Sequence, residues 1–143
     1  VDRQRRGAFL SGSFLRGAQR LHEGFLPGRH ALEAYGSGGF RFGDMSHQGS
    51  ILALPDGIHA WQVTRAEDIT LEALALALAA AAGIDLLLVG TGPEPRALPV
   101  AARDGLRAAG LAHEVMATAA AARTYTVLAA EGRRVGAALI AVP

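Results

Sequence analysis

The chain has 143 residues, half of them hydrophobic and 19% charged, with a formal net charge of +1. That balance fits one globular domain with a core of its own and excludes a disordered chain; it gives no support to general nucleic-acid binding. There is no cysteine, which excludes disulfides, thiolate zinc sites, iron–sulfur clusters and a cysteine nucleophile, and no apolar run reaches ~18 uninterrupted residues, so no spanning helix is expected.

All 14 basic residues are arginine; lysine and asparagine are both missing. Abundant Ala, Gly and Arg point to a GC-rich genome as the source of that bias. The missing lysine removes Schiff-base and P-loop chemistry from this chain. Residues 1–30 hold six of the arginines against Asp2 and Glu23, a local balance of +4, which leaves −3 for the rest. The apolar residues there, Phe9, Leu10, Phe14, Leu15, Leu21 and Phe25, keep no firm period. This stretch is expected to be a flexible, arginine-rich N-terminal segment suited to a membrane surface, and residues 31–143 a single α/β domain.

Next in chain order, Ala34–Gly39 reads as a glycine-rich turn. Phe40–Phe42, Ser50–Leu54 and Ile58–Val63 read as short strands, with Pro55-Asp56-Gly57 as a turn and Trp61 as a large core candidate. Asp44–His47 reads as a hairpin loop; its adjacent Ser46 and His47 have no acid or nucleophile elbow to make them catalytic. The period then changes. Thr70 is placed to cap a helix over Ile69 and Leu74, with Leu71, Leu74 and Leu78 on one face and Gly83 as a left-handed stop. Asp85–Val89 is a strand buried on both faces, closed by Gly90-Thr91-Gly92-Pro93. A helix follows from about Ala97, ended by Gly110. His113–Met116 is a strand, Thr118 caps a helix that stops at Gly132, and Val135–Val142 is the last strand. Alternation of this kind predicts a largely parallel sheet covered by helices. Right-handed crossovers would bring the 90–93 loop and the 117–118 turn to the same end of that sheet.

In this order and spacing the residues resemble a known family. The matching pieces are Tyr35-Gly36-Ser37-Gly38-Gly39-Phe40-Arg41-Phe42, Gly49-Ser50-Ile51-Leu52, Leu87-Leu88-Val89-Gly90-Thr91-Gly92, and Glu114-Val115-Met116-Ala117-Thr118 followed by Arg123-Thr124-Tyr125 and Glu131-Gly132-Arg133-Arg134-Val135. They are similar to the mitochondrial complex I assembly factor 3 family, with its uncharacterised bacterial relatives and Mth-type domains. The resemblance implies a three-layer α/β fold around a mixed sheet, with a small antiparallel β section at its start. It also implies no established enzymatic activity, no cofactor, and a protein partner at the inner membrane, hence a cytoplasmic place for a bacterial member. Ala117 stands where that family usually has Asp, Ala122 where a small residue such as Cys is common, and Thr126 where Asn is usual. Losing a carboxylate and an amide beside Arg123 argues against catalysis there.

Two candidate sites follow from the residues. Gly90, Thr91 and Gly92 after a buried strand could offer backbone N–H groups to an anion, with Thr118 and Arg123 beside them and Arg96 on the rim. The bland reading is a tight turn, with Arg123 paired to a carboxylate such as Glu94. Arg133 and Arg134 could compensate a helix C-terminus or form a basic partner surface. Trp61 and Tyr125 read as packing. His22, His30, His47, His59 and His113 show no metal-ligand spacing. The chain is therefore expected to be a protein-interaction domain of the assembly-factor kind rather than an enzyme, with an anionic small-molecule binder or weak enzyme using the Thr91, Thr118 and Arg123 cleft as the alternative.

Overall fold

A computed structural model describes residues 24–143; residues 1–23 of the arginine-rich segment lie outside the described residues. Nine strands and three α-helices follow in order: β1 (Phe25–Pro27), β2 (Leu32–Gly36), β3 (Gly39–Phe42), β4 (Met45–Gln48), β5 (Ser50–Leu54), β6 (Gly57–Trp61), α1 (Ala75–Ala79), β7 (Leu86–Gly90), α2 (Val100–Ala108), β8 (His113–Met116), α3 (Thr118–Ala130) and β9 (Val135–Leu139).

Six strands form the middle layer in the order β1-β6-β5-β9-β7-β8, and β2-β3-β4 form a separate antiparallel sheet. The large sheet is mixed rather than largely parallel. Strand β7 pairs in parallel with β8 and β9, whereas β9 meets β5 antiparallel, and β5–β6 and β6–β1 are antiparallel as well. The helical crossovers generate the parallel half and the early hairpins the antiparallel half.

Side chains alternate between two cores, as a strand period of two requires. Leu88, Ala137, Leu139, Ile51 and Ala53 face one side and pack with Tyr125, Ala121 and Ala122 of α3 and with Phe40 and Phe42 of the small sheet. Leu87, Val89, Ala138, Leu52 and Leu54 face the other side, with Leu74, Ala77, Ala102 and Leu106. The result is three layers: α3 and the small sheet, the six-stranded sheet, then α1 and α2.

Several expectations are corrected. Ala34–Gly36 belongs to strand β2, which turns at Ser37 and Gly38 into β3. Residues 45–47, expected as a loop, belong to β4, paired residue for residue with β3. Pairing to a neighbour fixes these strands, and their short mixed sequences carry little period of their own. The helix expected from Thr70 to Gly83 is a turn, the five-residue α1 and a 3-10 turn. Thr70 Oγ1 does accept the Ala73 N–H at 3.1 Å, and Ile69 and Leu74 are both buried beneath it. Gly83 is not left-handed. Gly110 and Gly132 are, with φ of 72° and 80°, and each ends its helix with paired bonds back into the last turn. Thr118 is not a cap: Ala117 holds that position, and Thr118 is the first helical residue. Strand β1, drawn from the end of the arginine-rich stretch, pairs with β6, and Arg29 reaches the Val135 carbonyl at 3.4 Å.

One glycine sets how closely α3 approaches the sheet. A Cβ on Gly90 would lie 2.8 Å from Thr118 Cα and 3.0 Å from Leu139 Cδ2. Backbone cannot yield as a flexible side chain does. Gly90→Ala is expected to destabilise the fold by about 1–3 kcal/mol, read as a lower denaturant midpoint at unchanged slope.

Candidate functional site

The two loops meet. Strands β7 and β8 are parallel neighbours, so their C-terminal ends open at the same end of the sheet, where open α/β sheets hold ligands. Gly92 N–H donates to Thr118 Oγ1 at 2.9 Å, and Thr118 N–H donates to the Gly92 carbonyl at 2.8 Å. Thr118 Oγ1 donates in turn to the Ile140 carbonyl at 2.7 Å, just past β9. One buried hydroxyl thus ties together the chain leaving β7, the start of α3 and the chain leaving β9. Thr91 is also buried. Its hydroxyl accepts the Arg96 N–H at 2.9 Å and lies 3.0 Å from the Glu94 carbonyl, to which it donates, and its own N–H donates to Met116 O at 3.0 Å. The N–H and hydroxyl groups of Thr91, Gly92 and Thr118 that could receive an anion are engaged within the chain, by backbone carbonyls and by the Thr118 hydroxyl.

Arg123 turns toward the small sheet. Its guanidinium donates to the Tyr35 hydroxyl at 2.8 Å on the exposed surface. Thr126, one turn on, reaches the Leu32 carbonyl at 3.5 Å, so this side of α3 lies along β2. No carboxylate among the described residues pairs with Arg123; its expected partner Glu94 stays in the loop after β7. Arg96 lines a shallow groove of about 600 Å³ with Ala66, Glu67, Pro95, Leu98 and Pro99, on the α2 side of that loop.

Arg134 forms a two-point pair with Asp85, Nη2 to Oδ1 at 2.8 Å and Nε to Oδ2 at 3.3 Å. Asp85 N–H donates to the Arg134 carbonyl at 2.7 Å, so the pair pins the start of β7 to the start of β9. The hydrogen bond from Arg134 holds the exposed Asp85 carboxyl below the usual carboxylate range, with Arg133 adding to the attraction. Burial raises the Tyr125 phenol, and nearby Arg29 opposes that shift. Trp61 is buried and donates from Nε1 to the Ala73 carbonyl at 2.7 Å. Asp56 and His59 form a 3.0 Å pair, with the His59 ring against Phe25. Among the described residues, no three His, Asp or Glu side chains come together as a metal site would need. Sequence reasoning missed the Tyr35–Arg123 and Asp85–Arg134 contacts, whose partners lie 88 and 49 residues apart. It also missed the hydroxyl of Ser50, which bridges Val63 O at 2.6 Å and Ala141 N at 2.9 Å.

Replacing Thr118 by Val keeps the shape and removes the hydroxyl. The Gly92 N–H and Ile140 carbonyl are then left buried without that partner. The expected cost is about 2–4 kcal/mol, or roughly a 10 °C lower Tm in calorimetry, with most of it recovered in Thr118→Ser.

Comparison with known proteins matches the body of this fold. The family model described as protein of unknown function (DUF498/DUF598) matches residues 32–140. An uncharacterised protein of Rhodobacter capsulatus is 42% identical over 113 residues, 78% of this chain and 85% of the relative. A human NADH dehydrogenase [ubiquinone] 1 alpha subcomplex assembly factor 3 is 33% identical over 112 residues, 78% of this chain. The chain spans 61% of that human protein's length. A crystal structure from Bartonella henselae, called an outer membrane protein, superimposes with a TM-score of 0.78 at 44% identity, over 82% of this chain and 98% of that one. With the same α/β body and these identities over its length, the chain belongs to the DUF498/DUF598 family, and it is similar over that body to the complex I assembly factor 3 proteins.

Proposed function

We propose that this chain is a protein-interaction domain that assists assembly of a respiratory, complex I-like membrane complex, working on the cytoplasmic side and peripheral to the inner membrane. The observation that carries the reading is the 33% identity to an assembly factor across 112 residues, nearly the whole α/β body. The chemistry supports it. The strand-end loops, where a doubly covered sheet would hold substrate, close on their own hydroxyl and amide groups. Arg123, Arg133 and Arg134 stand on the surface, where they suit a partner better than a reaction. None of the described helices is long and apolar enough to cross a membrane, so contact with a membrane complex would run through surface groups and the arginines of residues 1–30.

A second reading, an anionic small-molecule binder at Gly90, Thr91, Gly92, Thr118 and Arg123, rests on one observation. The Arg123 guanidinium meets the Tyr35 hydroxyl and no described carboxylate.

One experiment separates the readings. A tagged chain purified from its own cells should carry subunits of an NADH dehydrogenase-type complex. The yield should drop in an Arg133→Ala, Arg134→Ala double variant, with Asp85→Ala as the control for losing the Asp85 pair. Purified protein should show no thermal shift with inorganic phosphate. A stabilisation by phosphate that vanishes in Arg123→Ala, with no co-purifying subunits, would replace the first reading by the second.

A further inference from the structure

The two edges of the six-stranded sheet differ. Strand β1 has three residues and ends in Pro27, which has no N–H to offer. Strand β8 at the other edge has neither proline nor register break, and four residues pair regularly with β7. Leu87 N–H donates to Ala112 O at 2.8 Å, and Thr91 N–H donates to Met116 O at 3.0 Å. Residues 112 and 116 therefore turn their backbone toward β7, and so does Glu114 between them. His113 and Val115 turn theirs away, since successive strand residues alternate. Their two N–H groups and two carbonyls form an open edge among the described residues.

Resting on the interaction reading above, we propose that β8 is the docking edge and that its occupant is an extended segment of a different protein, carrying a cationic side chain opposite Glu114. Backbone pairing to His113 and Val115 supplies the affinity. Glu114 supplies the choice of occupant. It is exposed, lies beside Leu88 on the α3 side of the sheet, and pairs with no described arginine. A second copy is disfavoured by the same residue. The two-fold register that pairs His113 with Val115 in both directions sets Glu114 against itself, and like charges directly opposite destabilise a strand pair. On the α2 side, a hollow of about 350 Å³ lined by Arg107, Gly110, Leu111, Ala112 and His113 leaves room for a side chain of the incoming strand.

The test is an NMR titration of the labelled chain with the capped peptide Thr-Val-Arg-Val-Thr at low-millimolar concentration. Shift changes and slowed amide exchange should centre on His113 and Val115. The peptide with Glu in place of Arg should bind about threefold more weakly, and Glu114→Arg should reverse that order. His113→Pro removes one outward N–H and no bond to β7, so it should fold and lose the response. An unchanged His113 and Val115 with both peptides overturns the proposal, as does protection of those amides in the peptide-free chain. If His113→Pro still captures respiratory subunits at full yield from cells, the edge is wrong and the assembly reading stands. Peptide binding at β8 with no subunits captured by the native chain leaves the edge standing and removes that reading.

Discussion

The fold turns on one buried hydroxyl. Thr118 Oγ1 accepts the Gly92 N–H and donates to the Ile140 carbonyl, so the exits of β7 and β9 are joined through the first residue of α3. A hydroxyl can do both at once because it carries a donor and lone pairs on a single atom. Valine would match its shape and supply neither bond. Gly90 makes the junction possible by leaving room for the Thr118 backbone at a distance that no Cβ would permit. The last carbonyl of β7 is satisfied from the same place, since Ile140 N–H donates to Gly90 O at 2.9 Å. Helix, loop and two strands are thus held at one point in a site with little water to compete.

That junction explains why the strand-end position, which holds ligands in many open α/β sheets, is filled here by the protein itself. Donors aimed at an absent anion would be orphans in a buried loop. Here they are aimed at carbonyls and hydroxyls of the chain. The surface groups that carry charge have left this point. Arg123 lies along β2 with Tyr35, and Arg134 lies at the opposite ends of β7 and β9 with Asp85. Outward-facing charges and, among the described residues, an open edge at β8 fit the interaction reading proposed above.

How much of this was legible depends on the range of each interaction. Continuous apolar runs such as Leu86–Val89 announced their strand, and Gly110 and Gly132 announced helix ends, because those signals lie within a few residues. The meeting of the 90–93 loop with the 117–118 turn was legible too, since the handedness of crossovers fixes which strand ends coincide. Strands β2 and β4 were hidden because their pairing with β3, and not their own pattern, makes them strands. The broken course of α1 was hidden behind good helix formers; a tertiary choice overrode propensity between Leu71 and Gly83. The role of Thr118 was misread for a physical reason. A threonine at a helix start has a local use as a cap, and here its hydroxyl serves residues 22 and 26 positions away instead. Arg123 was expected beside the 90–92 loop or against Glu94, and Arg134 at a helix end or on a partner surface; nothing nearby in the chain could name Tyr35 or Asp85 as their partners.

The most direct test of this account is native-state hydrogen exchange at the Gly92 amide. Gly92 has a loop residue's conformation, with φ of 111°, and an ordinary loop amide exchanges through small local openings. If the Thr118 hydroxyl locks the three chain segments, Gly92 will exchange only when the whole domain unfolds, with the same opening free energy as Leu88 in the core. Exchange of Gly92 far faster than Leu88, through an opening that leaves the sheet intact, would contradict the account.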